Sequence, residues 1–257
     1  MNRIYFIMDC FALGRKHRFI GVFDTGAGGL NVLKECRRQL MGESYLYFAD
    51  NLNAPYGNYD ENKIRELTLA AAARMDKYGL KALLLACNTA TSAAVNELRK
   101  IYHYPVIGME PAIKPAALAA PGKDILILCT PATARQEKLK ELMKVFPNNK
   151  LIIAPQKNLA SEIENNLGDA YPATSCHPFV PKGSFGAVVL GCTHYIFIKD
   201  IISEKFDGIP VFDGVNGTVN NLMKQLKDAD LLSNNKGKGQ LLITTTAPTK
   251  FSYWKLL

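Results

Sequence analysis

The sequence predicts an α/β fold made of two similar domains, each with a mainly parallel sheet. Three observations predict it. Short apolar runs of strand length alternate with segments of helical spacing from Phe19 onward, the layout of βαβ units. The alternation resumes beyond a proline-rich joint at Glu110 to Pro115. The 257 residues suit one large domain or two small ones, the latter of roughly 100 to 130 residues each.

In the first unit, Phe19 to Phe23, Tyr45 to Ala49 and Ala82 to Ala86 read as strands, and Leu30 to Leu40 and Asn62 to Tyr78 as helices. Unbroken apolar runs of this kind mark strands covered on both faces, as in parallel sheets. Further strands are predicted at Val106 to Gly108, Ile125 to Cys129, Leu151 to Ala154, Ala187 to Gly191 and Pro210 to Phe212. Pro111 and Pro115 place a crossover near Glu110, because proline disfavours helix interiors and favours changes of direction. Ser233 to Gly239 is polar and glycine-containing and reads as a surface loop before a last strand, Gln240 to Thr246. The expected division is 1–109 plus 211–257 for the first domain and 110–210 for the second, with residues 1–18 as an extension.

Apolar residues make up 48% and charged residues 21%, which excludes the disordered and fibrous classes. No apolar run approaches the roughly 18 to 20 residues of a membrane-spanning helix, and Ile4 to Met8 is too short for a signal-peptide core. The cysteines at 10, 36, 87, 129, 176 and 192 form no CxxC pair and no metal-finger spacing, so neither a disulfide framework nor a structural metal site is expected. A soluble protein in a reducing, cytoplasmic setting is expected. The net charge of +8 gathers near the ends, at Arg15, Lys16 and Arg18 and again at Lys224, Lys227, Lys236, Lys238, Lys250 and Lys255. No aromatic-interleaved basic motif accompanies it, so a solvated surface is expected and nucleic-acid binding is not.

Two segments resemble each other internally: Leu83 to Thr89, containing Ala86-Cys87-Asn88-Thr89, and Val188 to His194, containing Gly191-Cys192-Thr193-His194. Each sets a cysteine just past an apolar strand. Ligands of open α/β sheets bind outside the carboxyl ends of the strands, so both thiols should emerge at binding edges, and should face each other if the two units do. A thiol beside a helix N-terminus is expected to have its pKa lowered from about 8.5 toward neutrality. A single buried cysteine is more often packing than chemistry, but the matched contexts favour chemistry here. Cys10, Cys36, Cys129 and Cys176 lack such a match and receive no role.

The third element is Gly21 to Leu30, a strand ending in Asp24 and Thr25 followed by Gly26-Ala27-Gly28-Gly29. Such a turn presents backbone amides to an anion. A dinucleotide fingerprint would need glycine where Asn31 stands, and a P-loop a Gly-Lys-Ser/Thr ending that is missing, so the turn argues little for nucleotide binding. Asp24 serves either as a helix cap or as a group that orients a proton carrier.

Ile20 to Leu30, Pro55-Tyr56-Gly57, Ala86 to Thr91 and Leu190 to Tyr195, taken in order, resemble the glutamate racemases, over a span from about Phe19 to Thr246. The resemblance implies an active site between the two domains and interconversion of L- and D-glutamate without pyridoxal phosphate or another cofactor, supplying D-glutamate for peptidoglycan. It implies a homodimer whose partner molecule is the small substrate, with no metal. Racemisation needs a proton removed from one face of Cα and another delivered to the opposite face. By resemblance Cys87 deprotonates D-glutamate and Cys192 L-glutamate, each assisted by a neighbour, Asp24 for the first and His194 for the second. Glu164 is placed near the second thiol by a looser match, with Glu162 as the alternative. Substrate contacts map onto Asp24, Thr25, Pro55, Tyr56, Gly57, Asn88, Thr89, Thr130, Thr133, Thr193 and His194.

Three departures stand out: Thr25 where serine is usual, Ile196 where proline is common, and Gln136 where serine is frequent. Thr25 keeps a hydroxyl; Ile196 and Gln136 bear on loop geometry and the pocket wall. An aspartate racemase-like enzyme is the nearest alternative, although its second motif typically ends in Glu where His194 stands. A binding protein of this fold would have lost a thiol motif, and a cysteine hydrolase leaves the second cysteine unexplained.

Overall fold

The computed structural model describes residues 4–6, 19–167, 176–248 and 257. The rest of the expected N-terminal extension, including Cys10, and Lys250 and Lys255 lie outside the described residues.

Two parallel sheets organise the chain. The first contains β1 (Ile4–Phe6), β2 (Phe19–Asp24), β3 (Ser44–Ala49), β4 (Leu80–Leu85), β5 (Val106–Gly108) and β10 (Leu241–Thr245), in the order β1-β10-β3-β2-β4-β5. The second contains β6 (Ile125–Cys129), β7 (Leu151–Pro155), β8 (Ala187–Gly191) and β9 (Val211–Asp213), in the order β7-β6-β8-β9. All pairings within both sheets are parallel. β9 is bonded to β8 and so stands with the second sheet, just beyond the boundary expected at residue 210. Within the expected extension, Ile4–Phe6 forms an edge strand beside β10.

Helices cover both faces of the first sheet. α1 (Leu30–Gln39) and α9 (Val215–Asp228) lie on one side, and α2 (Glu61–Asp76) and α3 (Asn88–Ile101) on the other. The strand period of two sorts the side chains: Ile20 and Val22 face α1, while Phe19 and Phe23 face α2 and α3. Gly21 lies where a Cβ would come within 2.8 Å of Leu80 and 2.9 Å of Met75, so the absence of a side chain lets α2 settle onto the sheet. Asp60 starts α2 by accepting the Lys63 N–H at 2.9 Å. The chain crosses to the second sheet between β5 and α4 (Ile113–Ala119), and α4 carries Pro115 in its first turn, where a missing N–H is tolerated. α5 (Pro131–Arg135), α6 (Glu137–Lys144), α7 (Leu159–Asn166) and α8 (Lys199–Lys205) complete the second unit. The apolar cluster under α1 and α9 runs on into the second sheet through Leu126, Leu128, Val188 and Leu190. Among the described residues no helix is long and apolar enough to cross a membrane.

At the amino end of β4 a buried ion pair joins Lys81 Nζ to Glu43 Oε2 at 2.5 Å. Lys81 also donates to the Leu231 carbonyl at 2.6 Å, and Glu43 Oε1 accepts the Ser233 N–H at 2.7 Å, so the pair staples the loop after α9 under the sheet. Removing one partner strands the other charge in the interior. Lys81→Met is expected to cost roughly 3 to 5 kcal/mol by urea denaturation, and adding Glu43→Leu is expected to restore most of it. A loss below about 1 kcal/mol in the single variant would show the pair to be energetically idle.

Candidate active site

The carboxyl ends of β2, β4, β6 and β8 converge, and the groups they carry are held by short-range hydrogen bonding. Asp24 ends β2 fully buried, and its Oδ2 accepts N–H bonds from Gly26 at 3.3 Å and Gly29 at 2.9 Å. Both readings of Asp24 therefore meet: it closes the turn into α1, and its Oδ1 accepts the Thr193 hydroxyl at 3.3 Å. Burial raises its pKa above the ordinary carboxylate value, against the opposing pull of the His194 charge and the Gly29 N–H.

The glycine turn was expected to offer its amides to a bound anion. Two of them bind Asp24, and a third, Ala27 N–H, donates to Glu164 Oε2 at 2.9 Å and Oε1 at 3.2 Å. The anions at this turn are thus the protein's own carboxylates. Glycine is required for space: a Cβ on Gly26 would lie 2.6 Å from Glu164 Oε2, and one on Gly28 would lie 2.5 Å from Thr193 Oγ1 and 2.7 Å from His194 Nδ1.

Cys87 follows β4 as the N-cap of α3, with Sγ accepting the Ala90 N–H at 3.5 Å. The expected lowering of its pKa is overturned. Burial pushes the thiol well above its ordinary value, the Asp24 charge adds to this, and the helix amides pull the other way without prevailing. Cys192 follows β8, with Sγ 4.0 Å from His194 Nδ1. On the ring's far side, Nε2 lies 2.6 Å from Glu164 Oε2. Burial alone would neutralise His194, but its bonds to Cys192 and Glu164 hold its pKa well above the ordinary range. Glu164 is correspondingly held below its ordinary value by His194 and the Ala27 N–H, which outweigh burial. A doubly protonated ring donates to Glu164 through one nitrogen and points the other N–H at the Cys192 sulfur. Glu164 rather than Glu162 occupies the site; Glu162 lies on the exposed side of α7.

Both cysteines line one cavity of about 340 Å³, together with Thr25, Pro55, Tyr56, Gly57, Thr89, Thr130, Thr193, His194 and Glu164. Asp24, Asn88 and Thr133 stand behind this wall. Asn88 Nδ2 donates to the Met109 carbonyl at 3.4 Å, and Thr133 Oγ1 lies 3.0 Å from the hydroxyls of both Thr89 and Thr130. Thr89 and Thr130 are themselves 3.0 Å apart, so three hydroxyls, from α3, the β6–α5 turn and α5, form a closed triangle. Gly57 approaches Thr130 so closely that a Cβ would meet the Thr130 Cβ at 3.0 Å. The cavity also includes Asn51, Ala54, Ala160, Ser161 and Asn165, which the sequence reading omitted. Asn51 follows β3 at the same carboxyl edge. Ala160 and Ser161 precede Glu164 by four and three positions on α7, a spacing that puts them on its face.

Paired thiols at the carboxyl edges of two parallel sheets, lining one cavity, define an α/β protein with its pocket where such sheets bind ligands. The family model for Asp/Glu/hydantoin racemases matches residues 20–222, and the chain belongs to that family. It is 40% identical to a glutamate racemase of Clostridium acetobutylicum over 234 residues, 89% of this chain and 91% of that one. Its fold is similar to that of Escherichia coli glutamate racemase in complex with L-glutamate and the activator UDP-MurNAc-ala, with a TM-score of 0.79, 26% identity, and 91% of each chain covered. It is also similar to a Francisella tularensis glutamate racemase in complex with D-glutamate, with a TM-score of 0.75, 25% identity, and 93% of this chain and 92% of that one covered.

The Glu164–His194 pair sets a pH window. His194 is raised above its ordinary 6.5, so its stabilisation is complete below 6.5 and fades as pH rises through the folded value. Glu164 is lowered below its ordinary 4.5, so its share is complete above 4.5 and fades as pH falls through the folded value. Glu164→Gln is expected to lose most stability between these two ordinary values and to move the His194 ring titration, followed by NMR, downward. A His194 titration at or below 6.5 in the unmodified protein would refute the pairing.

Proposed function

We propose that this protein interconverts L- and D-glutamate by moving protons between Cα and two cysteines. The observation that carries this reading is that Cys87 and Cys192 line the same cavity. The glutamate complexes of similar proteins support the choice of substrate.

In the L-to-D direction, Cys192 as thiolate takes the Cα proton and the C–H electron pair passes into the α-carboxylate. Cys87 as thiol then delivers its proton to the opposite face as that pair returns to Cα. The two sulfurs have exchanged protonation states, and the reverse reaction uses them the other way round. A buried thiol with a raised pKa suits the resting donor. Asp24 lies behind Cys87 and raises its proton affinity, while His194, charged by Glu164, faces Cys192 and supports its thiolate. The Thr25 hydroxyl supplies a donor for the substrate's carboxylates, those of Thr89, Thr130 and Thr193 do so once they turn from one another and from Asp24, and side chains alone supply the base and the acid. We assign the two sheets to two domains, the second running on through β9, whose relative motion admits glutamate and then excludes water. In this reading the protein is a cytoplasmic homodimer that supplies D-glutamate for peptidoglycan.

Circular dichroism of each glutamate enantiomer, with no cofactor added, is expected to decay to zero, while both aspartate enantiomers persist. Decay with aspartate alone would replace glutamate by aspartate, and decay with neither would end the racemase reading. Cys87→Ala and Cys192→Ala are each expected to lower racemisation by at least 10³-fold, in the range of a lost acid–base group. A serine at either position is expected to leave solvent-proton exchange at Cα from one enantiomer only. Full activity in either alanine variant would defeat the two-base scheme.

A further inference from the structure

Gln136 is buried at the end of α5, and none of the steps above uses it. Its side chain leaves the second unit and reaches α3 of the first, where Nε2 donates to the Thr89 carbonyl at 3.2 Å. A carbonyl only accepts, so this bond fixes which end of the amide is nitrogen. The other end, Oε1, is buried and meets no donor among the described residues. The backbone around it is secured within its own unit: Gln136 N–H donates to the Thr133 carbonyl at 3.2 Å, and its carbonyl accepts the Leu139 N–H at 3.2 Å. The side chain alone therefore bridges to α3. The residue it grips, Thr89, lines the cavity and belongs to the hydroxyl triangle with Thr130 and Thr133.

The two ends of this amide act in opposition. The Nε2 bond favours contact between α3 and α5, whereas a buried acceptor without a donor disfavours the arrangement that buries it. Parting α3 from α5 loses this bond together with the Thr89 bonds to Thr130 and Thr133, and lets water reach both amide atoms. We propose that Gln136 is a positioning residue, a balanced latch between α3 and α5. Through Thr89 it holds the threonine hydroxyls in their binding arrangement, and its stranded Oε1 keeps the latch weak enough to release. The latch rests on the racemase reading for its substrate, not for its geometry.

Two variants of similar length test it. Gln136→Met removes both the donor and the stranded acceptor, and Gln136→Glu keeps the shape but sets acceptors against the Thr89 carbonyl. With Gln136→Met, KM for both glutamate enantiomers is expected to rise roughly three- to tenfold, the worth of one neutral hydrogen bond, with kcat unchanged or higher. Gln136→Glu is expected to raise KM further. Amide hydrogen exchange at 88–91 is expected to quicken in both variants. KM within twofold of the unmodified protein, or a loss confined to kcat, would overturn the proposal, as would a lowered Tm with KM unchanged. If the unmodified protein racemises no glutamate, the substrate reading fails by itself. Exchange at 88–91 needs no turnover and still decides the latch: unchanged exchange in Gln136→Met overturns it.

Discussion

The contact between the two units at this site depends on a half-buried carboxylate reaching across from α7. Glu164 accepts the Ala27 N–H from the first sheet's glycine turn and pairs with His194, three residues beyond β8. An anion withdrawn from water is stable only when donors surround it, and here the donors come from both units. The same contact thereby fixes the charge on His194, the spacing of the glycine turn from Thr193, and the surroundings of Cys192. Asp24 plays the corresponding part inside the first unit, closing the turn while reaching Thr193. Three of the turn's amides are thus taken by two carboxylates, and hydroxyls, two sulfurs and a charged ring line the cavity beside Glu164.

The two thiols have similar sequence settings but different neighbours. Cys87 has a helix N-terminus and a nearby carboxylate; Cys192 has an imidazole. Similar motifs therefore yield an unequal pair.

Much of this was legible because it is local. The strands β2 to β8 stand where apolar runs of strand length predict them, and the rule that chemistry gathers at carboxyl ends placed both cysteines correctly at one cavity. Glu164 was separable from Glu162 only by helix phase, which the sequence left open and the fold decides. Other features rest on distant partners. Whether a turn's amides meet a ligand or a carboxylate more than a hundred positions away, as with Ala27 and Glu164, has no local signature. The raised pKa of the Cys87 thiol reflects burial, which outweighs the helix end that the sequence does reveal. Asn88 and Thr133 match the family's motifs yet stand behind the wall, since a motif fixes identity and not depth. β9 is too short for its sheet to be read before its hydrogen-bond partner is known.

The placement of β10 bears on how the chain assembles. It inserts between β1 and β3, strands that precede it by about two hundred residues, whereas β6 to β9 form one contiguous stretch. During synthesis from the amino end, the second sheet can pair as soon as its own residues emerge. The first sheet, although it begins the chain, keeps an open slot until residues 241–245 arrive. Long-range parallel pairing of this kind is slow to form and exposes strand edges while it waits. The half of the protein that is made first is therefore finished last.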